Sequence, residues 1–180
     1  MRVLVEADGG SRGNPGPAGY GACVLDPASG DTLAERAAGI GSATNNVAEY
    51  QGLIAGLQAA RELGATDVDV RMDSKLVVEQ MSGRWQVKHP SMKPLAREAA
   101  ELVRQFDRVR FSWIPREQNK HADRLANEAM DAAAKGLVWR AGGDTGKADA
   151  ADAFLAKAAE KPSPWQGNPG TPTTLLLRRP

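Results

Sequence analysis

Cysteine is almost missing from this 180-residue chain: Cys23 stands alone, so no intramolecular disulfide can brace the fold. Its setting, GYGACVLD, reads as a strand. A buried structural thiol fits that setting and fits a reducing cytoplasm. Net charge is nearly missing as well, at +1, so no global field draws the chain to nucleic acid. Any such role must come from local patches. No apolar run approaches the roughly 18 residues of a membrane span. The opening MRVLVEAD lacks a signal-peptide pattern, and no internal repeat shows. The expectation is a cytoplasmic domain with no membrane partner. The chain is 42% hydrophobic and 25% charged, which suits one ordinary globular domain and an appendage.

The first 136 residues alternate strand and helix signals. Residues 2–8 read as a buried strand ending at Asp8. Residues 18–26 and 31–40 read as two strands joined by the PASG turn, paired as a hairpin. Val47, Tyr50, Leu53, Ile54, Leu57 and Ala60 recur at helical spacing and predict an amphipathic helix over 46–63, with Gly64 as its C-cap. The alternation in DVDVRM predicts a strand over 67–72. Helices over 74–82 and 92–106, a strand over 108–114 and a helix over 120–134 complete the pattern, and Gly136 stops it. Antiparallel strands followed by βα units predict an α/β fold, a mixed sheet with helices on both faces.

Beyond Gly136 the texture turns small, polar and proline-rich, so 137–180 reads as a flexible tail or linker. Within it, 148–160 suits a transient helix. Residues 174–177 suit either a disordered end or the first strand of a further domain.

Four acids stand at predicted element termini: Asp8, Glu49, Asp73 and Asp123. If they converge, their mutual repulsion calls for a hard cation such as Mg²⁺. Two such ions about 4 Å apart suit phosphodiester hydrolysis. Each acid also has a plainer explanation. Asp8 suits a turn before Gly9 and Gly10. Glu49 suits a capping box with Asn46. Asp73 suits a helix cap, and Asp123 complements a helix dipole.

The flanking residues weigh against four separate accidents. DGGSRGNPGPAGYG, TNNVAEYQGLIAGL, MDSKLVVEQMSGRW and WIPREQNKHADRLAN, in that order, resemble type 1 ribonuclease H over roughly residues 1–135. The resemblance implies the ribonuclease H-like fold, with a five-stranded mixed sheet. It implies four metal ligands, which fall on Asp8, Glu49, Asp73 and Asp123. It implies two Mg²⁺ ions, replaceable by Mn²⁺. It also implies hydrolysis of the RNA strand of RNA/DNA hybrids, leaving 5′-phosphate and 3′-hydroxyl ends. Reading RNA requires contacts to 2′-hydroxyls in a wide, shallow groove. Gly9, Gly10, Ser11 and Asn14 fall on the RNA side, joined by Asn45, Asn46 and Ser74. Thr44, beside a helix N-terminus, falls near a DNA phosphate.

The chain departs from the best-known members at several points. Lys75 stands where many have glutamine, and lysine suits a phosphate. The basic protrusion of some members is reduced to MSGRWQVKHPSMKPLAREA, where Trp85 and Lys88 are the candidate contacts to the DNA strand. The glycine-containing histidine loop before the fourth acid is replaced by IPREQNKHAD. Arg116 is the candidate for its role, with Glu117 and His121 as alternatives. Double-stranded RNA is a second candidate substrate, and a monomer is expected. The final TTLLLRRP resembles the start of a histidine phosphatase but continues with Pro180, so no phosphatase activity is expected of this chain.

Overall fold

The structure, a computed structural model, describes residues 1–141 and 146–147. Five strands form the main sheet: β1 (Arg2–Ser11), β2 (Gly16–Leu25), β3 (Thr32–Ala43), β4 (Asp67–Met72) and β5 (Arg108–Trp113). Four helices join them: α1 (Asn45–Glu62), α2 (Lys75–Met81), α3 (Lys93–Val103) and α4 (Lys120–Ala134). The sheet order is β3-β2-β1-β4-β5. β1 pairs antiparallel with β2 and parallel with β4, so it is where the sheet changes sense.

Alternation along the strands decides which residues meet which helices. Val3, Val5 and Ala7 of β1 join Val68, Val70 and Met72 of β4 in a core with Leu53, Leu57, Val77, Leu95 and Leu102. α1, α2 and α3 therefore cover one face. α4 covers β1, β2 and β3 on the other. Gly21 permits that approach, since a Cβ there would lie 2.4 Å from the Ala122 carbonyl oxygen of α4.

The elements predicted over residues 1–136 are all present, with shifted ends. One shift matters for the site. Asp8 does not end its strand: Gly9, Gly10 and Ser11 keep pairing, opposite Tyr20, Gly19 and Ala18 of β2. What ends is the parallel pairing with β4, whose last partners are Ala7 and Met72. Asp8 and Asp73 are thus the next residues on two neighbouring strands, both released from that ladder at one level. This is the carboxyl end of parallel strands at a switch point, where such sheets place their sites.

Past the expected boundary at 136, the short strand β6 (Leu137–Val138) pairs antiparallel with β7 (Gly146–Lys147). The helix expected over 148–160 and the strand expected over 174–177 lie outside the described residues.

Candidate active site

The four acids come together. Asp8, Glu49, Asp73 and Asp123 line one open cleft of about 340 Å³. Burial of Asp8, with the charge of Asp73 and the neighbouring Asp123, pushes its carboxyl up to about 8. Burial also pushes Glu49 up to about 7, against a lowering contact from the Ser74 hydroxyl. These shifts mark oxygen donors gathered with too little positive charge among them. Such a set fits a hard divalent cation.

Local structure explains each placement. A Cβ on Gly9 would lie 2.2 Å from the Ala48 carbonyl carbon, so only glycine lets the start of α1 sit against β1. That contact brings Glu49 toward Asp8. Thr44 is the N-cap of α1, with its hydroxyl accepting from the Val47 N–H at 3.3 Å. This corrects the capping-box reading: Asn46 does not cap the helix, and Glu49 is its fifth residue. The asparagines are released for other contacts, and Asn45 Oδ1 accepts from the Ser11 N–H at 2.7 Å. Ser74, not Asp73, caps α2, accepting from the Val77 N–H at 3.2 Å.

Of the remaining candidates, Gly9, Gly10, Ser11, Asn45 and Arg116 line the cleft. Arg116 Nη2 lies 3.7 Å from Asp123 Oδ1, and its side chain is 76% exposed. Glu117 does not line the cleft. His121 turns elsewhere, with Nε2 2.6 Å from Glu35 Oε2. Asn14 supports the wall, its Oδ1 accepting from the Asn45 N–H at 3.2 Å. Thr44 and Asn46 flank the cleft in sequence without lining it. Ser74 is buried beneath it. Lys75, Trp85 and Lys88 are exposed and lie outside it.

Three further residues belong to the site. Arg12 lines the cleft, paired with Asp131 at 2.6 Å. Asn127 lines it too, its Nδ2 donating to the Asp123 carbonyl at 3.0 Å. Asn119 is fully buried and donates from Nδ2 to the Ala7 carbonyl and to Asp73 Oδ1. In the sequence these are one basic turn residue and two asparagines in a polar stretch, and no periodicity distinguishes them.

A mixed sheet of order β3-β2-β1-β4-β5 with four acids around the point where β1 and β4 part defines the ribonuclease H-like class. Comparison with known proteins agrees. The family described as "Reverse transcriptase-like" matches residues 6–129. The bifunctional protein Rv2228c of Mycobacterium tuberculosis is 56% identical over 99% of this chain and 47% of its own length. The chain therefore spans about half the length of that curated relative. The solved N-terminal RNase H domain of Rv2228c, fused to maltose-binding protein, is 62% identical with a TM-score of 0.74. It covers 76% of this chain and 98% of its own. LC11-RNase H1 in complex with an RNA/DNA hybrid is 43% identical with a TM-score of 0.70, covering 73% and 99% respectively. The chain belongs to the ribonuclease H family.

Proposed function

We propose that this chain is an endonuclease that hydrolyses the RNA strand of RNA/DNA hybrids, leaving 5′-phosphate and 3′-hydroxyl ends. The observation that carries the reading is the convergence of Asp8, Glu49, Asp73 and Asp123 in one open cleft. Its cofactor is a pair of Mg²⁺ ions, for which Mn²⁺ can substitute, held by those four acids. Bound there, the ions supply an activated water and a stabilised leaving oxygen.

The protein's own groups position the substrate. Gly9, Gly10, Ser11 and Asn45 line the cleft beside Asp8 and meet the RNA strand. Asn45 is held through its Oδ1, and its Nδ2 is left to donate to a 2′-hydroxyl. Asn14, Asn46 and Ser74 support that side of the groove. Thr44 at the N-terminus of α1, Lys75, Trp85 and Lys88 meet the DNA strand, the lysines at phosphates. Arg116, charged at every working pH, meets the scissile phosphate or the departing product. Residues 1–136 form the nuclease domain, and the chain acts as a cytoplasmic monomer. No helix among the described residues is long and apolar enough to cross a membrane.

The test is cleavage of end-labelled RNA presented as RNA/DNA hybrid, double-stranded RNA and single-stranded RNA, with double-stranded DNA as control. Each is run with Mg²⁺, with EDTA, and with Asp73→Asn. Metal-dependent cutting of the hybrid's RNA, abolished in Asp73→Asn, is expected. Hybrid binding without cutting in either Mg²⁺ or Mn²⁺ would leave a binding module. Cutting of double-stranded RNA would widen the substrate class.

A further inference from the structure

A second group of metal-ligating side chains sits behind the cleft. Register lines up Glu6 of β1, Cys23 of β2 and Glu35 of β3 as neighbours across the sheet. This row lies two residues along β1 from Asp8, on the face covered by α4. His121, in the first turn of α4, comes down onto it. One donor atom each from Glu6, Cys23 and His121 lies within 4.8 Å of the other two.

One of the three donor separations already matches that of a bound ion, and the other two lie within 4.8 Å. In a tetrahedral zinc site with bonds of about 2.0–2.3 Å, ligand atoms stand roughly 3.3–3.8 Å apart. Cys23 Sγ and Glu6 Oε1 are 3.8 Å apart. Glu6 is a carboxylate only 8% exposed, and among the described residues its side chain has one hydrogen-bond partner, the weak Cys23 thiol. Among the described residues no lysine or arginine pairs with this buried carboxylate.

We propose that Glu6, Cys23 and His121 form a binding site for one divalent ion of the zinc class, separate from the four-acid cleft. The donor set selects the ion. A thiolate and an imidazole suit Zn²⁺ or Co²⁺ and are poor ligands for Mg²⁺, which prefers the all-oxygen cleft. With the ion bound through His121 Nδ1, Glu35 supports the site: its Oε2, which Arg124 Nη2 also approaches at 3.5 Å, lies 2.6 Å from His121 Nε2. His121 and Glu35 are 24% and 22% exposed, which provides a route for the ion from solvent. Three protein ligands leave a fourth position for water. Binding joins β1, β2 and α4, with ligands two residues from Asp8 and two from Asp123. It releases the thiol proton to solvent and involves no redox step.

The single cysteine makes the test unambiguous. The full-length chain is titrated with Co²⁺ in thiol-free buffer, and the near-ultraviolet thiolate-to-cobalt charge-transfer band is followed. Cobalt held by the four acids is silent in that band. The expected result is a band that saturates at one ion per chain and disappears when Zn²⁺ is added. It should vanish in Cys23→Ser and weaken at least tenfold in apparent affinity in His121→Ala. Glu35→Gln should retain the band with affinity lowered about 10–100-fold. Zn²⁺ should also raise the melting temperature of the Asp73→Asn protein, and this rise should be lost when His121→Ala is added. Absence of the band at saturating Co²⁺ overturns the site. So does a band indifferent to His121→Ala, or one that saturates at one ion per two chains. Circular dichroism establishes that each variant is folded, and His121→Ala decides the matter if Cys23→Ser is not. None of these readouts depends on nuclease activity, so failure of this site and failure of the nuclease reading are distinguishable.

Discussion

Asn119 Nδ2 donates to Asp73 Oδ1 at 2.8 Å and to the Ala7 carbonyl at 2.9 Å, and the whole side chain is buried. The Ala7 carbonyl can only accept, so the amide orientation is determined. The residue just before α4 thereby ties β1, at the point where it leaves β4, to Asp73 after β4 and aims one carboxylate oxygen of Asp73. Among the described residues its own Oδ1 has no hydrogen-bond partner. Asn119→Ala should lower kcat about 10–100-fold with KM little changed, because it disturbs a ligand's aim and not substrate contact. It should also cost about 1–3 kcal/mol in a thermal melt, from the unpaired carbonyl. Unchanged kcat in a folded variant would show that Asp73 needs no such support.

The acids of the cleft make the metal-free protein less stable as pH rises. Asp8 goes from an ordinary 3.8 to about 8, and Glu49 from 4.5 to about 7. Between about pH 4 and pH 8 the folded state therefore holds protons that the unfolded state has lost. Stability falls with rising pH across that window. Melts in EDTA should show this fall. Asp8→Asn should flatten it and raise the melting temperature at pH 8 by at least about 2–4 °C, the equivalent of about 1 kcal/mol. A metal-free stability that rises from pH 5 to pH 8 would contradict the convergence of these carboxylates.

Arg116 is the cation beside Asp123 and is mostly exposed, so it is free to move with a phosphate. Arg116→Ala should reduce turnover at least about tenfold with folding intact. Arg116→Lys should recover only part, since a point charge lacks the planar fork. Glu117, which does not line the cleft, serves as the control: Glu117→Gln should stay within about twofold. Equal losses in both variants, read in steady-state cleavage, would remove Arg116 from the mechanism.

Gly9 is predicted to tolerate no side chain. A Cβ would collide with the backbone of Ala48 and Glu49, at 2.2 and 2.4 Å, and backbone cannot rotate away as a side chain can. Gly9→Ala should destabilise by about 1–3 kcal/mol or more and separate Glu49 from Asp8. The same change at Gly10, where the nearest atom would be the end of Met130 at 3.7 Å, should cost far less stability. Denaturant melts of the pair make the comparison. Similar midpoints would mean that α1 can shift without penalty.

Much of this protein was legible in its sequence. Helical recurrence from Val47 to Ala60, the alternation in DVDVRM and the stops at Gly64 and Gly136 are local signals, because periodicity and capping act within a few residues. They placed every main element and located the four acids near element ends. The flanking motifs identified the family.

What needed the tertiary structure depends on register and on approach between distant segments. Asp8 lies inside β1, because partners on β2 extend one side of the strand while β4 releases the other. No local pattern records which side of a strand stops pairing. Thr44 and not Asn46 caps α1, its hydroxyl accepting from the Val47 N–H, while the Asn45 amide accepts from the Ser11 N–H across 34 residues. Asn119 and Arg12 entered the site through contacts of the same long range. The row of Glu6, Cys23 and Glu35 under His121 exists only through the pairing of three strands beneath α4. Local chemistry determined the elements and their acidic ends. The packing of backbone against backbone at Gly9 and Gly21 decided which side chains meet, since that closeness is a property of two segments and not of either one.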